Sequence, residues 1–268
     1  MTGVPQVMGV AAVPPVPPVP RMGVLVVTGT GTGVGKTVTT AAIAALAIAA
    51  GQRVSVVKPA QTGLLDGAPG DVDDVRRLAG LDTADVHEVT RYPDPLAPAS
   101  AARVSGLPTL DLAACAALVS ELAGPGGLVL VEGAGGLLVR FDDTGNDGRG
   151  STLADLATAL GAPVLLVADP GLGTLNQTAL TLEALAARGL ELAGLVLGSW
   201  PAAPDLACRT NIADLERLTG RALAGALPAG LGDLDAPAFL AAARSAVGPE
   251  LGGDFDAADF GRRHTADR

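Results

Sequence analysis

A chain of 268 residues is too long for a small stapled module and suits one large α/β domain or two small ones. A net charge of −10 argues against a nucleic-acid partner, which needs a clustered basic surface; the only histidines, His87 and His264, leave no inventory for a zinc site or a His-based triad. With 49% hydrophobic residues but 2% aromatics, the core must be built from Ala, Val and Leu, as in a parallel sheet covered on both faces. Cys115 and Cys208 stand far apart without metal-like spacing. They read as small packing residues, and the usage fits a reducing cytoplasm. No stretch reaches the roughly 18 charge-free apolar residues of a membrane span, and no basic region followed by an apolar core marks a signal peptide.

Residues 1–21 carry the run Val13-Pro14-Pro15-Val16-Pro17-Pro18-Val19-Pro20. Proline removes amide donors and favours extended backbone, so a disordered extension is expected, with Met22 a sensible start. A single domain is expected over 22–247. It opens with a strand, Val24-Leu25-Val26-Val27-Thr28, a glycine loop over 29–37 and an Ala-rich helix stopped at Gly51. A second strand, 54–57, runs into Lys58. A Gly/Asp/Pro-rich loop leads to Gly70 and a helix over 71–79. Segment 91–98 reads as irregular, 99–104 as a helical turn, and 109–122 as a helix capped by Thr109. The strand 128–132 ends in Gly133-Ala134-Gly135-Gly136, and a polar loop covers 142–150. Helices over 152–160, 175–188, 205–219 and 237–246 alternate with strands over 164–168, 195–197 and 222–226. Residues 248–268, acidic then basic, are expected to be a mobile tail. The alternation predicts a doubly wound, mostly parallel sheet with helices on both faces and functional residues at the C-terminal strand ends.

The stretch Gly29-Thr30-Gly31-Thr32-Gly33-Val34-Gly35-Lys36-Thr37 sits at the strand–helix junction that a phosphate-binding loop needs. Residues Gly31 to Gly35 can turn backbone N–H groups toward phosphate oxygens, and the helix adds the positive end of its dipole. Lys36 can reach a terminal phosphate, and Thr37 can offer its hydroxyl to magnesium. The spacing is unusual: five residues separate Gly29 from Gly35, where the common pattern has four. Lys58 ends a strand directly before Pro59, with Gln61, Thr62 and Gly63 beyond; the plain alternative is a solvated lysine. Glu132 ends a run of aliphatic residues and would point into a crevice, where a hard oxygen suits magnesium; the alternative is a satisfied surface carboxylate. Asp71 begins a helix and reads equally well as an N-cap or first-turn acid.

Four motifs, taken together and in order, resemble the dethiobiotin synthetases. They are the phosphate loop, Val57-Lys58-Pro59-Ala60-Gln61-Thr62-Gly63, Val131-Glu132-Gly133-Ala134-Gly135-Gly136, and Gly171-Leu172-Gly173-Thr174-Leu175-Asn176. The match runs from about Val24 to Gly230, and the five-residue gap is normal for that family. The resemblance implies an ATP-dependent ring closure in biotin synthesis. One amine of 7,8-diaminononanoate takes up carbon dioxide as a carbamate. The γ-phosphate passes to the carbamate, and the second amine expels phosphate to close a ureido ring. By the same resemblance Lys36 and Lys58 supply positive charge, while Thr32 and Thr62 position phosphate and carbamate. Thr37, Asp71 and Glu132 hold Mg2+. Gly173, Thr174, Leu175 and Asn176 bind the substrate carboxylate from the second subunit of a homodimer.

This chain departs from the family in carrying Gly33 where a Glu is common and Gln177 where a His is common. It also has Gly198 where ATP-reading relatives carry an Asn. Base recognition would then fall to backbone groups, including Gly198 and Pro228, Ala229 and Gly230. Weak preference for adenine is expected, with CTP or other triphosphates accepted. Two rival readings share the nucleotide core: a partitioning or septum-placement switch ATPase, and a cobalamin-type amidoligase. The first needs a lysine where Gly31 stands, and the second a glutaminase Cys–His pair. A third, a non-catalytic nucleotide-binding partner, would leave Lys36, Lys58 and Glu132 without a task.

Overall fold

The computed structural model describes residues 23–264. The Pro-rich segment 1–21 lies outside them. The chain alternates β1 (Gly23–Gly29), α1 (Lys36–Ala49), β2 (Arg53–Thr62), α2 (Asp71–Ala79), β3 (Val86–Tyr92), α3 (Pro98–Ser105), α4 (Leu112–Leu122) and β4 (Gly127–Gly136). It continues through α5 (Gly145–Gly148), α6 (Leu153–Leu160), β5 (Val164–Ala168), α7 (Thr174–Ala186), β6 (Leu192–Trp200), α8 (Leu206–Thr219), β7 (Gly225–Pro228), α9 (Ala236–Ala246) and α10 (Ala257–His264). Among the described residues seven strands form one sheet, ordered β3-β2-β4-β1-β5-β6-β7, and every pairing is parallel. The expected doubly wound α/β architecture is therefore the one observed.

The central strands read as continuous aliphatic runs because both faces are covered. Alternate residues serve the two layers. Leu128 and Leu130 join Val54, Val56 and the helices α1, α2 and α9, while Val129 and Val131 pack with Val57 and residues of α4 and α6. Alanines dominate the inner face of α1, so that helix lies close to the sheet without aromatic filling.

Three expectations need correction. Segment 86–92 is an edge strand, β3, which includes residues read as irregular. Six of its seven residues are only half buried, so it lacks the apolar run that marks the inner strands. The cap of α4 is Asp111, whose carboxylate accepts from the Ala114 amide, in place of Thr109. The segment after Gly248 is folded at least to His264. Phe260 of α10 packs edge-on against Trp200 with centroids 4.9 Å apart, and Phe255 lies 5.2 Å from Phe260. Burying such a ring is worth about 1.5–3 kcal/mol, enough to seat one short helix. The acid-then-base order is the helix pattern: Asp256 accepts from the Asp259 amide, and Asp259 pairs with Arg262 and Arg263 one turn on.

Candidate active site

The site forms where strands part. β2 pairs with β4 as far as Val57↔Val131; beyond that β2 follows β3, from Lys58↔Glu88 to Thr62↔Tyr92. β4 in turn loses its regular register with β1 after Val27↔Glu132. The divergence opens the sheet directly at Lys58 and Glu132. Lys58 is thus within a strand rather than at its end, and the pleat continues to Thr62.

A cavity of about 810 Å³ fills this opening. Thr32, Lys36, Thr37, Lys58, Thr62, Asp71 and Glu132 all line it, with Gly33 and Gly35 of the glycine loop. Lys58 is 2% exposed and Glu132 1%. The Lys58 ammonium lies 2.5 Å from Asp71 Oδ2 and 2.8 Å from Glu132 Oε1, and donates to the Gly133 carbonyl at 3.1 Å. Burial works against its charge, yet Glu132 and Asp71 outweigh that and raise its pKa above the ordinary lysine value. Thr37 donates its hydroxyl to the same Glu132 Oε1 at 2.9 Å. Lys36 folds back to the Gly31 carbonyl at 2.8 Å, and its pKa is lowered by burial first and by Lys58 second. Lys36 and Asp71 are the first residues of α1 and α2, so two helix N-termini open on one cavity.

Gly35, at φ +96°, and Gly198 meet backbone to backbone. A Cβ on Gly35 would stand 2.2 Å from the Gly198 oxygen, and one on Gly198 would stand 2.0 Å from the Val34 oxygen. Gly198 therefore seats the phosphate loop on β6. Val34 is buried behind the loop with Val27 and Val167.

The remaining candidates lie outside the cavity lining. Pro228, Ala229 and Gly230 are exposed at the end of β7, and Gly173 and Asn176 are exposed around the start of α7, beside the fully exposed Leu172. The wall formed by Pro95, Leu96, Ala97 and Pro98 was not anticipated from the sequence. Its signal, a proline-punctuated stretch after an unrecognised strand, is weak. Gln61, also on the wall, accepts from the Asp71 amide at 3.0 Å.

Among the described residues no three His, Cys, Asp or Glu side chains gather as a metal cluster. The donors present are two carboxylates and a hydroxyl, and Glu132 Oε2 is buried without a hydrogen-bond partner. Such an oxygen set suits Mg2+, which is usually shared between one or two carboxylates and substrate phosphates.

The family model described as an AAA domain matches residues 23–238. The chain is 63% identical to the ATP-dependent dethiobiotin synthetase BioD of Parafrankia sp. (strain EAN1pec), over 91% of this chain and 99% of that protein. It is 62% identical to the BioD of Frankia casuarinae and 56% identical to that of Streptomyces coelicolor, with the same coverage. Sharing most of its residues with these relatives over nearly their full length, the chain belongs to the dethiobiotin synthetase family.

Proposed function

We propose that this chain is an ATP-dependent carbon–nitrogen ligase of biotin biosynthesis, closing the ureido ring of dethiobiotin from 7,8-diaminononanoate and carbon dioxide. The observation that carries the reading is Lys58, buried between Glu132 and Asp71 in the cavity that the phosphate loop shares. Carbamate and γ-phosphate are both anions, so bringing them together requires positive charge between them. Lys58, Lys36 and the two helix N-termini supply it within a largely buried site. Lys36 is held only by a loop carbonyl in the contacts seen, so a phosphate oxygen can take it over. Thr37, Asp71 and Glu132 would hold Mg2+, whose bound charge offsets that of the transferred phosphoryl group. Thr32 and Thr62, on the cavity wall, orient phosphate and carbamate. The carbamate oxygen attacks the γ-phosphorus and the nucleoside diphosphate leaves. The second amine then attacks the carbamate carbon, phosphate leaves, and the amine gives up its proton. No protein nucleophile is needed.

The exposed Gly173 and Asn176, with Leu172 94% and Leu180 57% exposed nearby, support a homodimer in which a second copy contributes the site for the substrate carboxylate; Thr174 between them is buried. A cytoplasmic location accords with two buried free cysteines. Among the described residues no helix is long and apolar enough to cross a membrane. Neither the switch-ATPase nor the amidoligase alternative is favoured by the relatives. The test is ring formation from the diamine and carbon dioxide with ATP, CTP and GTP in parallel. Phosphate release should require both diamine and carbon dioxide. Release without the diamine would refute the reading, and a strong ATP preference would refute relaxed base recognition.

A further inference from the structure

Asp71 reaches the cavity from a helix that follows an irregular loop, so something must fix that loop. The edge strand β3 does so. Arg91 binds Glu88 through a two-point pair, Nε to Oε1 at 2.6 Å and Nη2 to Oε2 at 2.8 Å. Its remaining terminal nitrogen, Nη1, donates to the Leu65 carbonyl at 3.1 Å and the Ala68 carbonyl at 2.7 Å. Gly70 sits directly on this pair: a Cβ there would stand 3.0 Å from Arg91 Nη2, 3.0 Å from Glu88 Oε2 and 3.1 Å from Gln61 Oε1. The next residue is Asp71, whose amide donates to that same Gln61 oxygen. The Gly70 amide donates to Asp73, closing the first turn of α2. The Arg91 and Glu88 side chains are 18% and 15% exposed, and neither lines the cavity.

We propose that Arg91, oriented by Glu88, is a positioning residue for Asp71. It anchors loop 65–70 to β3 and so fixes the start of α2, which presents the Asp71 carboxylate to Lys58. The inference rests on the reading of Asp71 as a magnesium ligand. A planar guanidinium can hold a carboxylate by two bonds and two carbonyls at once; a lysine ammonium cannot keep that geometry.

The test uses the full chain with Mn2+ as the probe, free metal being read by electron paramagnetic resonance in the presence of a non-hydrolysable ATP analogue. Arg91→Ala should weaken Mn2+ binding about 10-fold or more, as loss of an outer support does at other metal sites. Arg91→Lys should weaken it comparably, and metal-free nucleotide affinity should not change. In an Asp71→Asn background, Arg91→Ala should have no further effect on Mn2+. Wild-type Mn2+ affinity in Arg91→Ala, restoration by Arg91→Lys, or fully additive losses in the double variant would each overturn the proposal. If Asp71→Asn alone leaves Mn2+ affinity intact, the metal assignment fails instead. Amide exchange over 64–72 then decides the positioning role: faster exchange confined to that segment in Arg91→Ala supports it, and wild-type exchange overturns it.

Discussion

Replacing Lys58 by Met keeps most of the stem and removes the ammonium. In the free protein this leaves Glu132, 1% exposed, with the Thr37 hydroxyl as its remaining partner among the contacts seen, and leaves Asp71 without its ion pair. Removing one partner of a buried pair costs about 3–5 kcal/mol, because the other charge stays buried. For a domain of this size each kcal/mol moves the melting midpoint by about 2–4 °C, so Lys58→Met should melt about 6–20 °C lower. Neutralising the stranded acid should reverse much of this. Lys58→Met/Glu132→Gln is therefore expected to melt above Lys58→Met alone, by calorimetry without nucleotide. Neither variant should turn over, since the charge facing the carbamate is gone. A single variant melting within about 2 °C of wild type, or a double variant less stable than the single, would refute the reasoning.

Lys36→Ala should lower kcat by two or more orders of magnitude, the usual loss on removing one group that stabilises a developing charge. Near-normal turnover in the folded variant would refute its role. Gly198→Ala forces a methyl group to 2.0 Å from the Val34 oxygen, so the phosphate loop must shift. We expect a destabilisation of about 1–3 kcal/mol and weaker nucleotide binding, measured by calorimetry; unchanged affinity would argue against close seating of the loop on β6. Asp142 is buried, which raises its carboxyl pKa, but amides of Gly145 and Thr144 and bonds from Ser151 outweigh this and hold it below the usual aspartate value. Its stabilisation is present above the unfolded aspartate pKa near 4 and is lost as pH falls through the lowered folded value. Asp142→Asn should thus cost about 1.5–3 kcal/mol at neutral pH, and the gap to wild type should close in acid. A gap independent of pH would show that the carboxylate charge is not what matters.

The sheet core and the phosphate loop were legible from apolar runs and glycine spacing, and Lys58 and Glu132 because the apolar stretches of β2 and β4 each run into a charged residue. What stayed hidden was the edge. His87, Glu88, Thr90 and Arg91 look like loop residues, since an outer strand needs no apolar run. Without β3, β2 reads as ending at Val57, and its continuation to Thr62 along one neighbour cannot be inferred. The wall at 95–98 and the brace from Arg91 were missed for the same reason. The folded C-terminal segment was missed because its apolar content is sparse. Phe255 and Phe260 matter only once Trp200 is placed beside them.

The position of Lys58 and Glu132 follows from strand parity. Lys58 continues the row Val54–Val56, and Glu132 the row Leu128–Leu130, both of which face the layer of α1 and α2. Those helices begin with Lys36 and Asp71, so charges in these rows meet helix N-termini rather than apolar packing. A one-residue insertion before Lys58 would turn it to the opposite face, among Val129, Val131 and their apolar neighbours. The divergence of β2 from β4 supplies the space, and parity supplies the direction. Two interior ions are therefore tolerated at this one level of the sheet, one step beyond Val57↔Val131, because there the helix layer offers charge and hydrogen bonds instead of methyl groups.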